Sequence, residues 1–240
     1  MGLDTRNWMR RDARPAREGA GHMDAARVGF LKRTYTHLAL AIVAFVGVEA
    51  ALQASPFVEP MVRAMSGRFA WLVVIGLFMA VAWAADRLAR STASRGAQYA
   101  GLGLYVMAQA FIFAPLLYMA TRYGGDGILG TAAIVTLGVS GALTAYVLIS
   151  GVNFSWLRGV VMVGGVAALL TIVAAAIFGF TLGIFFAGLM ILLAASMLLY
   201  QTSAAMYDWR TDQYVAASLG LFASVMLMFY YVVVFLMNRD

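Results

Sequence analysis

Long apolar stretches follow one another along the chain from residue 35 to residue 237, with only short polar interruptions between them. A transmembrane helix needs about 20 such residues to cross roughly 30 Å of hydrocarbon. Seven stretches come close to that length, and we predict one transmembrane helix over each. They cover residues 35–54, 69–85, 99–121, 127–150, 157–178, 182–205 and 215–237.

The boundary between the fifth and sixth stretches needs a separate argument, because no charged residue occurs between Gly159 and Tyr207. That segment is too long for one crossing of the bilayer. Gly179 and Gly183 lie near its middle, and glycine permits the backbone conformations of a tight turn. We therefore predict two helices joined by a short turn at these glycines.

Composition supports an all-α integral membrane protein. Hydrophobic residues make up 63% of the chain and charged residues only 12%, whereas soluble domains carry about 25% charged residues. A water-soluble fold of this size would leave too much apolar surface exposed. We predict a polar, flexible N-terminal tail over residues 1–33 and one seven-helix membrane domain over residues 34–240.

The net charge of +6 suggests an anionic partner, and the distribution of basic residues indicates which one. Eight of the 17 Lys and Arg residues precede the first apolar stretch, and the two aromatic residues among them, Trp8 and Phe30, are too few to stack on successive bases. This pattern is typical of a cytoplasmic segment beside anionic lipid, so we expect the lipid bilayer, not nucleic acid, as partner. Basic residues on alternating connections predict a cytoplasmic N-terminus and an external C-terminus.

Candidate chemistry is sparse. The chain has no cysteine and two histidines, which excludes thiol catalysis and a His-based metal cluster. No catalytic motif, cofactor site or metal site is recognisable, so we do not expect an enzyme.

Two acidic features stand out against this background. Glu49 lies deep in the first span, where it either lines an ion path or is protonated or paired with Arg63 or Arg68. Asp208 and Asp212 flank Arg210 in the loop before the last span, as cation ligands or as hydrated charges.

Several segments resemble the transmembrane Bax inhibitor motif family. The motifs that carry the resemblance are Phe30-Leu31-Lys32-Arg33-Thr34-Tyr35, then Ala114-Pro115-Leu116-Leu117 followed by Ile128, Ala132 and Thr136, then Asn153-Phe154-Ser155-Trp156-Leu157, and finally Tyr200-Gln201-Thr202-Ser203. Each motif is short, but together they cover about residues 30 to 237 in the family's order.

The resemblance implies a bundle whose last helix is wrapped by the other six. It also implies a calcium leak channel in which two aspartates, on the sixth and seventh helices, share a proton and gate the channel. In this chain Gln201 and Ser224 stand at those positions, and neither side chain titrates near neutral pH. In an alternative alignment, Asp208 stands at the first of the two aspartate positions. We therefore expect a cation leak path with blunted pH gating, and ion-path candidates Glu49, Gln201, Ser224 and Asp208.

The motif pattern is closest to the bacterial YccA branch of that family. This likeness implies a bacterial plasma membrane and an alternative function without transport. In that alternative, the protein modulates a membrane-bound ATP-dependent protease, which would grip the basic N-terminal tail.

Overall fold

The computed structural model describes residues 24–65, 67, 69–91 and 94–239. These residues form eight α-helices and no strand. The helices are α1 (Ala25–Gln53), α2 (Val58–Met65), α3 (Ala70–Ala89), α4 (Arg95–Tyr123), α5 (Ile128–Ser150), α6 (Leu157–Phe178), α7 (Gly183–Tyr207) and α8 (Tyr214–Met237). All except α2 are long and apolar enough to cross a membrane, which confirms the seven predicted spans.

The start of α1 differs most from the prediction, because the helix begins at Ala25, well before the apolar stretch. Asp24 caps it by accepting a hydrogen bond from the backbone N–H of Ala26 at 3.5 Å, and such a cap satisfies a donor that a helix start leaves free. Phe30 and Leu31 are buried in the bundle. Residues 25–33 are therefore helical although we had assigned them to the tail, whereas residues 1–23 of that predicted tail lie outside the described residues.

The turn between α6 and α7 is where the glycines predicted it. Gly179 has φ of 79° and Gly183 has φ of 49°, in the left-handed region that side chains with a Cβ rarely occupy. The backbone N–H of Gly179 also closes α6 by donating to the carbonyl oxygen of Ala175 at 2.8 Å. The prediction of two helices in this uncharged segment is confirmed.

Helix α8 is the most buried of the seven spans. Half of its most apolar window lies inside the protein, against 6% for α6. It packs against α1, α3, α4, α5 and α7, while α6 packs against α7. Its enclosure by all six other spans stays a prediction.

The outward surfaces of the bundle are apolar. Large side chains such as Val43, Ile149 and Phe185 are exposed on them, as expected for helices in contact with lipid. Gly138 and Gly141, which carry small-residue pairs at helix-packing spacing on α5, are also exposed. They do not serve helix packing within the described chain.

The two ends of the bundle are distinguished below by the charged residues they carry. The Arg27 end holds the start of α1 and the connections α3–α4, α5–α6 and α7–α8. The Glu59 end holds α2, the connections α4–α5 and α6–α7, and the end of α8. Helix α2 packs against α3 and α4 and buries Val58, while Glu59 and Arg63 form an exposed ion pair.

Candidate functional site

Gln201 and Ser224 are brought together at one glycine of α8. A Cβ added at Gly220 would lie 2.9 Å from Nε2 and 3.0 Å from Oε1 of Gln201. The amide of Gln201 on α7 therefore lies directly over the α8 backbone, where glycine alone permits the close approach. Ser224 is fully buried, and its hydroxyl donates to the carbonyl oxygen of Gly220 at 2.9 Å. The two side chains thus meet the same backbone position.

Glu49 lies on the inner face of α1 and is only 4% exposed. The amide Nε2 of Gln53 donates to Oε2 of Glu49 at 3.4 Å and to the carbonyl oxygen of Ala114 at 2.9 Å. Oε1 of Glu49 is buried and has no hydrogen-bond partner among the described residues. A buried carboxyl group without a full set of partners is costly in a membrane.

Pairing of Glu49 with a nearby arginine was one of the sequence expectations. Arg63 instead forms its ion pair with Glu59, both on α2, and Arg68 lies outside the described residues. The hydrogen bond from Arg63 lowers the pKa of the exposed Glu59 carboxyl below its ordinary value.

An aromatic layer separates Glu49 from Gln201. We use this name for Phe45, Tyr105, Phe113 and Phe222, whose rings lie 5.2 Å (Phe45 to Phe113), 6.2 Å (Phe45 to Phe222) and 6.1 Å (Tyr105 to Phe222) apart. Glu49 follows Phe45 by one helical turn toward the Glu59 end, whereas Gly220 precedes Phe222 on the side of the Arg27 end. The layer therefore lies between the two polar positions.

Asp208 stands apart from the other candidates. It is the C-cap of α7 and is exposed in the connection to α8. Its neighbour Asp212 forms an exposed ion pair with Arg210 at 3.1 Å. Within the described ranges no three His, Asp or Glu side chains gather as metal ligands. The structure therefore places Asp208 at the surface of the Arg27 end, away from Gln201 and Ser224.

Sequence reasoning missed a set of buried hydroxyl groups on α1, α5 and α7. The hydroxyl of Tyr35 on α1 faces Thr202 on α7 and Thr144 on α5. The hydroxyls of Thr34, Tyr35, Thr136 and Thr202 are buried without a hydrogen-bond partner among the described residues. Thr136 and Thr202 belong to the quoted motifs, but the motifs alone did not predict that their hydroxyls are buried.

Two of the quoted motifs touch each other in space. The backbone N–H of Phe154 donates to the hydroxyl of Ser203 at 2.8 Å, and that hydroxyl donates to Oδ1 of Asn153 at 3.4 Å. The hydroxyl of Tyr207 donates to the carbonyl oxygen of Gly151 at 2.6 Å. The segment after α5 is thereby docked on the last two turns of α7, beside Gln201.

A third polar group ties α1, α4 and α8 at the Arg27 end. The hydroxyls of Tyr99 and Tyr214 are 3.0 Å apart, and the hydroxyl of Tyr99 is 3.3 Å from Nε2 of His37. Nδ1 of His37 is 2.6 Å from the carbonyl oxygen of Arg33. This network holds the starts of three spans together.

Comparison with known proteins identifies one family. A family model described as inhibitor of apoptosis-promoting Bax1 matches residues 27–240 of the chain. No curated protein and no solved structure matches it.

Proposed function

The chain belongs to the family of inhibitors of apoptosis-promoting Bax1, and from this premise we propose that it is a leak path for cations, including calcium. The family and the seven apolar spans make it a membrane protein. The leak path is the function that its interior polar groups support best.

The observation that carries this proposal is the incomplete coordination of Glu49. One carboxyl oxygen has no partner among the described residues, and the other has a single long hydrogen bond from Gln53. Carboxylate and amide oxygens are ligands that calcium prefers. A cation that passes Glu49 would coordinate its unpaired carboxyl oxygen, at a depth where an unpaired charge is costly.

Gln201 and Ser224 continue the proposed path toward the Arg27 end. Their oxygens are neutral, so they offer dipoles to a passing cation without titrating. The aromatic layer blocks the way between Glu49 and Gln201. Conduction in this proposal therefore requires a rotation of at least one ring of the layer, and the conformation described here is the closed one.

The proposed orientation follows the basic residues. The Arg27 end carries Arg27, Arg33, Arg90 and Arg158, and such an excess favours the cytoplasmic side. Calcium would enter at the Glu59 end and leave past the exposed carboxylates of Asp208 and Asp212. A reporter fused before residue 24 that is accessible only from inside the cell would support this orientation, and an externally accessible reporter would overturn it.

The test is calcium flux into proteoliposomes loaded with a calcium-sensitive dye. Removing the charge with Glu49→Gln should reduce flux roughly tenfold, because a charge-assisted contact contributes about 1.5–3 kcal/mol. Glu59→Gln is the matched control, since Glu59 is exposed on α2, and it should leave flux unchanged. No flux from wild-type protein would overturn the proposal, and equal flux from Glu49→Gln would remove Glu49 from it.

A further inference from the structure

A large cavity lies in the half of the bundle nearer the Glu59 end. Its volume is about 810 Å³, and it is lined by residues of α3, α4, α6, α7 and α8. Helix α3 packs against α4 and α6 packs against α7, so the cavity occupies the space between these two pairs. Binding sites for small molecules have volumes of about 300–1,000 Å³.

The outer part of this cavity is apolar and aromatic. Trp71 lies in the first turn of α3 and Phe180 in the turn between α6 and α7, so both stand at the Glu59 end. Ile75, Phe78 and Leu169 continue the wall toward the middle of the bundle. None of the described side chains that line the cavity is charged. The lining therefore favours a neutral, mostly apolar occupant.

The inner part of the cavity is lined by a polar side chain that the protein leaves partly unpaired. Gln109 is only 6% exposed, and its Oε1 has no hydrogen-bond partner within the described chain. Tyr105, Tyr230 and Tyr231 also line the cavity. Buried polar groups in proteins are almost always paired, so the unpaired Oε1 of Gln109 indicates a missing partner.

We propose that this cavity binds a lipophilic alcohol, with its hydroxyl head at Gln109 and its apolar tail between Trp71 and Phe180. A hydroxyl fits because it donates to Oε1 of Gln109 while it accepts from a tyrosine hydroxyl. The uncharged lining excludes a carboxylate or phosphate head at that depth. The apolar tail of the alcohol fills the outer part of the cavity, whose apolar walls form few hydrogen bonds with water.

The site can be probed with an undecanol that carries bromine on its terminal carbon, because bromine quenches tryptophan fluorescence on contact. Detergent-purified protein should show saturable quenching, and Trp71→Phe should lose the saturable part. Unbrominated undecanol should relieve the quenching, whereas undecane, which lacks the head, should not. Quenching that never saturates, or that survives in Trp71→Phe, would overturn the proposal.

Two variants test the two ends of the ligand. Gln109→Leu should weaken binding of the probe roughly tenfold, as expected for the loss of one buried hydrogen bond. Gly165→Leu should abolish it, because residue 165 lines the cavity and an added Cβ meets nothing within 4 Å.

Gly159→Leu is the matched control for Gly165→Leu. Gly159 lies on the same helix with equal open space around it but does not line the cavity, so this variant should bind like wild type. Wild-type affinity in Gly165→Leu would disprove binding in the cavity. Wild-type affinity in Gln109→Leu would disprove the placement of the head. Neither result depends on whether the protein conducts calcium.

Discussion

Gln201 lies so close to Gly220 that a single added carbon at residue 220 would come within 2.9 Å of its amide nitrogen. This contact joins α7 to α8 next to the buried Ser224. It makes the position of the Gln201 amide dependent on the absence of a side chain at residue 220.

Gly220→Ala should therefore lower the thermal unfolding temperature of the detergent-purified protein by a few degrees. Overpacking of a close contact costs about 1–3 kcal/mol, and the flexible end of Gln201 will relieve part of it by rotating away. Gly138→Ala is the control, because an added Cβ there meets nothing within 4 Å and alanine favours the helix.

The cause of the Gly220→Ala effect is separable with a second substitution. In a Gln201→Ala background the clash is absent. Adding Gly220→Ala to Gln201→Ala should therefore cost much less stability than adding it to the wild type. Such non-additivity is expected only for residues in contact. Strictly additive losses would show that Gln201 is not the group displaced.

Arg27 fastens the start of α1 to the end of α7. Its Nη1 donates to the carbonyl oxygen of Trp209 at 2.6 Å and to that of Ala205 at 3.3 Å, where a cation also complements the helix dipole. Arg27→Ala should cost about 1.5–3 kcal/mol of unfolding free energy, measured as a drop in melting temperature. Lys32→Ala, which removes an exposed charge on the same helix, should have almost no effect, and equal losses in both variants would contradict the capping role.

Hydrophobic length predicted the spans well because a bilayer sets one requirement for all of them. The bounds of α6 match the prediction at Leu157–Phe178. The glycine turn at residue 179 was predicted because the uncharged segment around it is too long for one span. The early start of α1 escaped the prediction because residues 25–33 are polar enough to resemble a tail. They are helical owing to the Asp24 cap and the contact of Arg27 with α7.

Contacts between distant helices were the part that one sequence does not determine. Glu49 was identified from its depth alone, but its Gln53 neighbour and the aromatic layer beside it depend on which faces of α1, α4 and α8 meet. Gln109 gave no signal, because a single amide in an apolar stretch reveals neither its burial nor the cavity in front of it. The exposed small residues of α5 show the same limit, since spacing alone does not say whether a face meets protein or lipid.

The ion pair on α2 should respond to acid. Since Arg63 lowers the pKa of Glu59, the pair's small contribution to stability is fully present above the ordinary glutamate pKa of about 4.3. It is lost as the pH falls through the lowered pKa. Wild type should melt slightly above Glu59→Gln at about pH 7, and the difference should shrink as the pH falls below the ordinary glutamate pKa. A difference that persists in acid would show that Glu59 acts through something other than its charge.

Calcium flux through the wild type should lack the gating of a carboxylate pair between about pH 6 and about pH 8, because Gln201 and Ser224 do not titrate in that range. Any pH dependence that remains should disappear in Glu49→Gln. Two carboxylates placed around Gly220 would share a proton and separate when both ionise. The double variant Gln201→Asp with Ser224→Asp should therefore acquire a pH-dependent flux that neither single variant shows. Asp208→Asn serves as the control for the exposed loop and should leave both profiles unchanged. If wild-type flux already changes steeply over this range and Asp208→Asn leaves that change intact, another titrating group gates the path.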